Sequence, residues 1–204
     1  MVFSSPARNS WVLVLSLFLS ACGTRSPYLN PVTPETDSLT GSKQVVVEIK
    51  PVVTSGFRNP ERERLGIDLS AYYTAFEVTI RNQTTRSVAV DDQDAVLLDD
   101  DRKPYAVLSV EESLDYYGSG GFAGEKPVVV TKSLAAAKDE MEMIRRLRLK
   151  SGEILPGGSV NGILLFHKIP SDKCRQVSFS LKGIRISGEE KNREFQFTFS
   201  CGES

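Results

Sequence analysis

Apolar and polar side chains alternate with a period of two along several short stretches of this chain, as they do in strands that bury one face. Between Gln44 and Val53, Val45, Val47 and Ile49 alternate with Val46, Glu48 and Lys50, and Pro51 marks an edge or a strand end. From Tyr72 to Asn82 the repeat is strict, with Phe76, Val78 and Ile80 on one face and Glu77, Thr79 and Arg81 on the other. Val88 and Val90 begin a strand that the acidic corner Asp91 to Asp94 interrupts. Ala95 to Leu98 resumes it, and Asp99 to Pro104 turns the chain into a strand from Tyr105 to Val110. Val160 to Ile169, Gln176 to Ile186 and Arg193 to Ser200 complete the set. Ile163 to Phe166 is apolar on both parities, which predicts a central strand covered on both faces. A hairpin about Gly188 sets Val177, Phe179 and Leu181 opposite Phe199, Phe197 and Phe195, so that one face is wholly apolar.

A helical period is convincing once. Ser133 is placed to cap a helix running to Arg146, in which Leu134, Ala137, Met141 and Ile144 share a face and arginines fall near the C-terminal end. That narrow face, with mixed charges opposite, predicts packing against a sheet rather than on a membrane. The closely mixed charges of Arg58 to Leu65 read as a solvated connection. The glycine-rich run from Tyr116 to Pro127 reads as a mobile surface loop, with Tyr116, Tyr117 and Phe122 as partner contacts.

Before the first strand, Arg8 precedes an apolar run from Trp11 to Leu19, the layout of a secretory signal peptide and too short to span a bilayer. Leu19-Ser20-Ala21-Cys22 resembles the lipobox of bacterial lipoproteins. The resemblance implies cleavage after residue 21 and a covalent lipid on Cys22 as the only cofactor. It also implies a membrane anchor that several acyl chains make stable. Gly23 after the cysteine favours the outer membrane, facing the periplasm. Residues 22–43, with prolines at 27, 31 and 34 and almost no apolar content, read as a flexible tether.

Removing residues before Cys22 takes Arg8 from 25 basic residues and leaves all 26 acidic ones, so the mature net charge is about −2. No basic run with interleaved aromatics appears, and nucleic acid is not among the expected partners. With Cys22 lipidated, Cys174 and Cys201 remain as a pair in an oxidising compartment and read as a disulfide. The hairpin register leaves Cys174 one residue out of direct opposition, so free thiols stay open as the alternative. The acidic corners at 91–94 and 99–101 lack the glycine and closing glutamate of a calcium loop, and read as turn chemistry without a metal. Gly118 to Ala123 matches a loose dinucleotide pattern, but Pro127 and a β-branched run follow where a helix is required.

Seven to eight short strands separated by turns, with one inserted helix, predict a mainly β, immunoglobulin-like antiparallel sandwich over residues 44–204. Phe76-x-Val-x-Ile-x-Asn82, Val96-x-Leu-x-Asp100 and Leu155-Pro-Gly-Gly-x-Val-x-Gly-x-Leu-x-Phe166-x-x-Ile-Pro170 make this stretch similar to the immunoglobulin-like domain of bacterial lipoproteins and secreted antigens. The resemblance implies fold and carries over no functional residue. Residues 111–150 depart from it as a long insertion, where specific function is expected.

His167, the only histidine, shares parity with Ile163 and Leu165 and reads as structural. With no G-x-S-x-G elbow, no H-E-x-x-H and no second histidine for zinc, no catalytic residue is assigned. The expectation is a non-enzymatic envelope lipoprotein that binds or assembles with another envelope protein. Capture of a small hydrophobic or glycan ligand is the alternative, and a periplasmic hydrolase is the third reading.

Overall fold

The alternating stretches pair as antiparallel strands in two sheets, because each has one apolar face that only a second layer can cover. The structure is a computed structural model describing residues 28–32, 44–53, 59–119, 133–170 and 174–202. The strands are β1 (Tyr28–Pro31), β2 (Val45–Pro51), β3 (Tyr73–Asn82), β4 (Val88–Val90), β5 (Ala95–Leu98), β6 (Pro104–Ala106), β7 (Gly152–Ile154), β8 (Ser159–His167), β9 (Gln176–Ile186) and β10 (Arg193–Gly202). The helices are α1 (Pro60–Leu65), α2 (Val110–Gly118) and α3 (Leu134–Leu147), with 3-10 turns at Leu69–Ala71 and Asp92–Asp94.

One sheet has the order β2-β3-β8. The other runs β1-β10-β9-β4-β7, with β5 beside the first half of β9 and β6 on the far side of β5. The chain passes from β3 in the first sheet to β4 in the second, back to β8, and over again to β9. These crossings are the Greek-key connectivity of an immunoglobulin-like sandwich. Val177 faces Phe199, Phe179 faces Phe197 and Leu181 faces Phe195, the register expected from the hairpin pattern.

Phe76, at the centre, packs its ring against Phe166, Phe179 and Phe199 with centroids 5.1–6.1 Å apart. Cys174 and Cys201 are joined as a disulfide with Cα atoms 5.6 Å apart. The Cys201 amide donates to Arg175 O, so the bridge reaches one residue past the paired position, where β9 has not yet begun.

The sandwich has a second covering. The outer face of β3 and β8 carries Tyr73, Ala75, Ile163 and Leu165. With Leu65, Ile67, Leu69, Leu108, Tyr116, Tyr117 and Ile144 they form a separate apolar cluster beneath the helices. The apolar parity of Ile163 to Phe166 is thereby explained, but β8 is the edge of its sheet rather than its centre. Double-sided burial here comes from helices on one face and the second sheet on the other.

Gly162, on the inner-face parity of β8 with Leu164 and Phe166, lets the chain leaving α3 come close enough to seat Leu149 in the main core. A Cβ there would lie 2.3 Å from Leu149 Cα, where the chain leaving α3 crosses β8 and the Leu149 amide donates to Ile163 O. Gly183 allows a similar close approach on the other sheet, with Asp91 O 2.4 Å from where a Cβ would be, at the point where β9 changes partner from β5 to β4.

Four expectations are corrected. The tether reading of residues 22–43 does not hold for β1, which lies along β10 with Leu29 opposite Cys201 and buried in the main core. The charged connection is partly helical: Asn59 Oδ1 caps α1 by accepting from the Glu61 amide at 2.8 Å, with Pro60 in the first turn and Gly66 closing it at φ +72°. Helices number three among the described residues, not one. The strand expected from Tyr105 to Val110 stops at Ala106, after which Ser109 starts α2 with a capping box.

Candidate functional site

The insertion expected to carry function folds as α2 and α3, and the most elaborate polar assembly of the molecule lies beneath them. Ser109 Oγ accepts from the Glu112 amide at 3.1 Å while the Glu112 carboxylate accepts from the Ser109 amide at 2.7 Å, which fixes the start of α2. The two bonds from Ser109 hold the Glu112 carboxyl below its usual range. The Tyr117 hydroxyl donates to Glu140 of α3 and ties the two helices together.

Arg148, the residue after α3, turns inward with its side chain 3% exposed. Its Nη1 donates to Ser113 Oγ at 2.8 Å, and Nη2 lies 3.4 Å from Asp92 Oδ2. Asp92 stands on the corner between β4 and β5. It accepts from the Ser151 hydroxyl and from Gln93 Nε2 at 2.9 Å. The assembly thus links three elements distant in sequence: the corner of one sheet, the exit of α3 and the buried side of α2. Burial lowers the affinity of the guanidinium for its proton, with Asp92 opposing that shift. Among the described residues no buried side-chain nitrogen or oxygen lacks a hydrogen-bond partner. Such an arrangement fixes geometry, since each charge is already matched by a partner.

Tyr72, Tyr73, Tyr116 and Tyr117 line the adjoining wall, with ring centroids 4.8–6.2 Å apart. The Tyr73 hydroxyl donates to Ser113 O at 2.7 Å, and burial raises its pKa. Tyr116 and Tyr117 are therefore not on a surface loop. They sit in α2 at 8% and 6% exposure, facing the sheet, and their rings build the second core. Phe122 lies outside the described residues, as do Cys22 and the rest of the lipobox. His167, at the end of β8, is exposed and meets the edge of Tyr116 at 4.6 Å; burial lowers its pKa.

Several carboxylates of the two acidic corners are taken up by hydrogen bonds. Asp91 accepts from the Gln93 amide, and Asp99 accepts from the amides of Asp101 and Lys103 and from the Tyr105 hydroxyl. The last contact, together with burial, pushes the phenol up to about 12. Asp100 reaches across to the amides of Arg175 and Gln176 at 2.7 and 2.9 Å and pins the start of β9. Among the described residues, no group of three or more histidine, cysteine or acidic side chains is arranged to hold a metal.

Two concavities among the described residues bear on ligand capture. A groove of about 960 Å³ runs between β1 and β2, lined by Leu29, Pro31, Ile49, Pro51 and Val52, with Lys50 and Glu61 on its polar side. A polar hollow of about 550 Å³ lies on the outer face of β9 and β10, among Ser178, Ser180, Glu194 and Gln196.

The capping box S-x-x-E at Ser109 and the Asn59-Pro60 pair before Gly66 were the signals that locate α2 and α1. The pairing of Arg148 with Asp92, 56 residues apart, has no local signal.

No protein-family model matches the chain, and no curated protein matches its sequence. Among solved structures it is similar to the yjhA protein from Bacillus subtilis, at 14% identity and a TM-score of 0.42, covering 77% of this chain and 92% of that one. It is also similar to a functionally unknown protein from Listeria monocytogenes EGD-e, at 12% identity and a TM-score of 0.40, covering 88% and 90% of the two chains.

Proposed function

We propose that this chain is an envelope lipoprotein, anchored through a lipid on Cys22, whose sandwich is a non-enzymatic protein-binding or assembly module. The observation that carries the reading is the use made of the insertion's chemistry. Arg148, Asp92, Ser113, Glu112 and Tyr117 are engaged with one another and with backbone, so they build a rigid layer rather than a reacting centre. The layer has an outward-facing apolar residue at its rim: Leu134, which opens α3 beside residues 120–132, is 75% exposed. Leu134 is thereby accessible to a partner surface and marks the place to probe for one. The covalent lipid would be the only added group, and the outer membrane, facing the periplasm, is the location that Gly23 favours.

Two measurements test this reading together. Cells fed labelled palmitate incorporate it into the wild-type chain and not into Cys22→Ala, and a photo-crosslinking side chain at Leu134 yields one discrete adduct in the membrane fraction. A wild-type chain that takes up no label, or a crosslinker that returns only the monomer, counts against it. The apolar groove between β1 and β2 favours the alternative of a small hydrophobic ligand. Displacement of an environment-sensitive dye by added lipid would reveal such a ligand.

A further inference from the structure

We propose that β1 is a detachable clasp that sets how far the domain stands from its anchor; the consequence at the membrane rests on lipidation of Cys22. β1 lies between two positions that matter mechanically, the lipobox cysteine and the first strand of the sandwich proper. It has four residues, of which only Leu29 is buried. Tyr28 and Val32, on either side, are 46% and 54% exposed. Its hold on the fold is one edge of β10, in four paired positions continued by the Val32 amide donating to Thr198 O. Pro31 brings no amide hydrogen to the ladder. One leucine and a short edge ladder must therefore offset the entropy of ordering five residues, a balance close to even.

The dock itself is rigid. Leu29 pairs with Cys201, and Cys201 is bonded to Cys174 at the start of β9. Release of the clasp withdraws Leu29 from the main core and bares the edge of β10, while β2 to β10 keep their pairing with one another.

Its state decides the reach. With β1 docked, Tyr28 lies six residue steps from Cys22, a fully extended span of about 20 Å. With β1 released, Val45 lies 23 residue steps from Cys22. Their limit is about 80 Å, and their coil-like average is about 25 Å. Docked, the sandwich is held next to the anchor; released, it can sample partners across a much deeper shell.

Amide exchange on the processed full-length protein in detergent tests this. Residues 28–32 are expected to exchange at least tenfold faster than 45–51 and 193–202 under native conditions. In Leu29→Asp they exchange as free chain while β2 to β10 keep their protection, and Leu29→Ile retains the wild-type pattern. Equal protection of 28–32 and 45–51 in the wild type overturns the clasp, as does global loss of protection in Leu29→Asp. The mass of the N-terminal peptide from the same digest separates the two ideas. Fast exchange on a chain with no acyl group at Cys22 overturns the membrane reach and the lipoprotein reading with it. Slow exchange on an acylated chain overturns the clasp alone.

Discussion

The two faces of β3 are buried by different means. On the inner face, Thr74, Phe76, Val78 and Ile80 meet the opposite sheet, and apart from Thr74, Asn82, Tyr105 and the disulfide cysteine Cys174 the filling is aliphatic or phenyl. On the outer face, Tyr73 and Ala75 meet helices, and the filling is tyrosine-rich with a buried ion pair at its border. Further along the same face Glu77 pairs with Arg64 of α1, Thr79 accepts from Asn161 Nδ2 at 2.8 Å and Arg81 pairs with Glu48. The first core is non-directional and tolerates rearrangement as long as volume is kept. The second depends on named hydrogen bonds, so its geometry is specified more sharply and fails more abruptly.

The largest effect that tests this contrast comes from the inner face. Phe76→Ala removes a ring packed against three others at 0% exposure and should cost about 3–5 kcal/mol in urea unfolding. The two cores share β3 and β8, so far-UV dichroism and tyrosine fluorescence should shift together. The chain's one tryptophan, Trp11, precedes Cys22, and four of its six tyrosines lie in the outer core, so tyrosine emission reports mainly on that side. Fluorescence that stays at wild-type stability while the dichroism moves would mean that the cores unfold separately.

How far each core could be read from the sequence follows from the same difference. A period of two is a local signal for a face that meets a sheet. The β9–β10 register, down to Phe179 opposite Phe197, follows from it once a turn is placed at Gly188. The outer core has no such repeat: α1, α2, α3, a 3-10 turn and two strands each contribute one or two of its buried residues, and Val52, Ile67, Tyr72 and Leu108 come from the connections between elements. Tyr116 and Tyr117 next to glycines look like a loop because composition outweighs the capping box that begins seven residues earlier at Ser109. β1 is too short to show any period, and only the slot beside Cys201 makes Leu29 a core residue. Arg148 and Asp92 are brought together by tertiary folding alone.

The second test breaks the outer core at its polar border. Arg148→Met leaves the Asp92 carboxylate, whose side chain is 12% exposed, without its cation and should cost about 3 kcal/mol. Replacing both residues, as in Arg148→Met with Asp92→Leu, should cost less than the sum of the single changes. The coupling would be about 1–3 kcal/mol, since no buried charge is then left alone. The loss should show first in tyrosine emission and in faster exchange of 110–118. An Arg148→Met cost under about 1 kcal/mol would show that the pair is incidental to holding the helices down.

The smallest effect concerns His167, at the rim where the outer core meets solvent. Burial against Tyr116 lowers its pKa, Glu112 works against that shift and Lys103 adds to it. The folded chain therefore binds a proton less readily than the unfolded chain, whose imidazole titrates near pH 6.5. The contribution is fully present above that value. It is lost as the pH falls from about 6.5 through the folded pKa, the sign opposite to that of a histidine with a carboxylate partner. His167 is exposed, so the change in Tm between about pH 7.5 and about pH 5.5 should be a degree or two. His167→Gln should flatten that difference while the steeper loss below about pH 4.5 remains. Glu112 and Glu194 contribute to that loss, since local hydrogen bonds depress both carboxyls and their contributions disappear as they are protonated. Parallel profiles for His167→Gln and wild type over the upper window would place the imidazole outside the Tyr116 contact. Only the steeper arm, through Glu112, would then report on the helix layer.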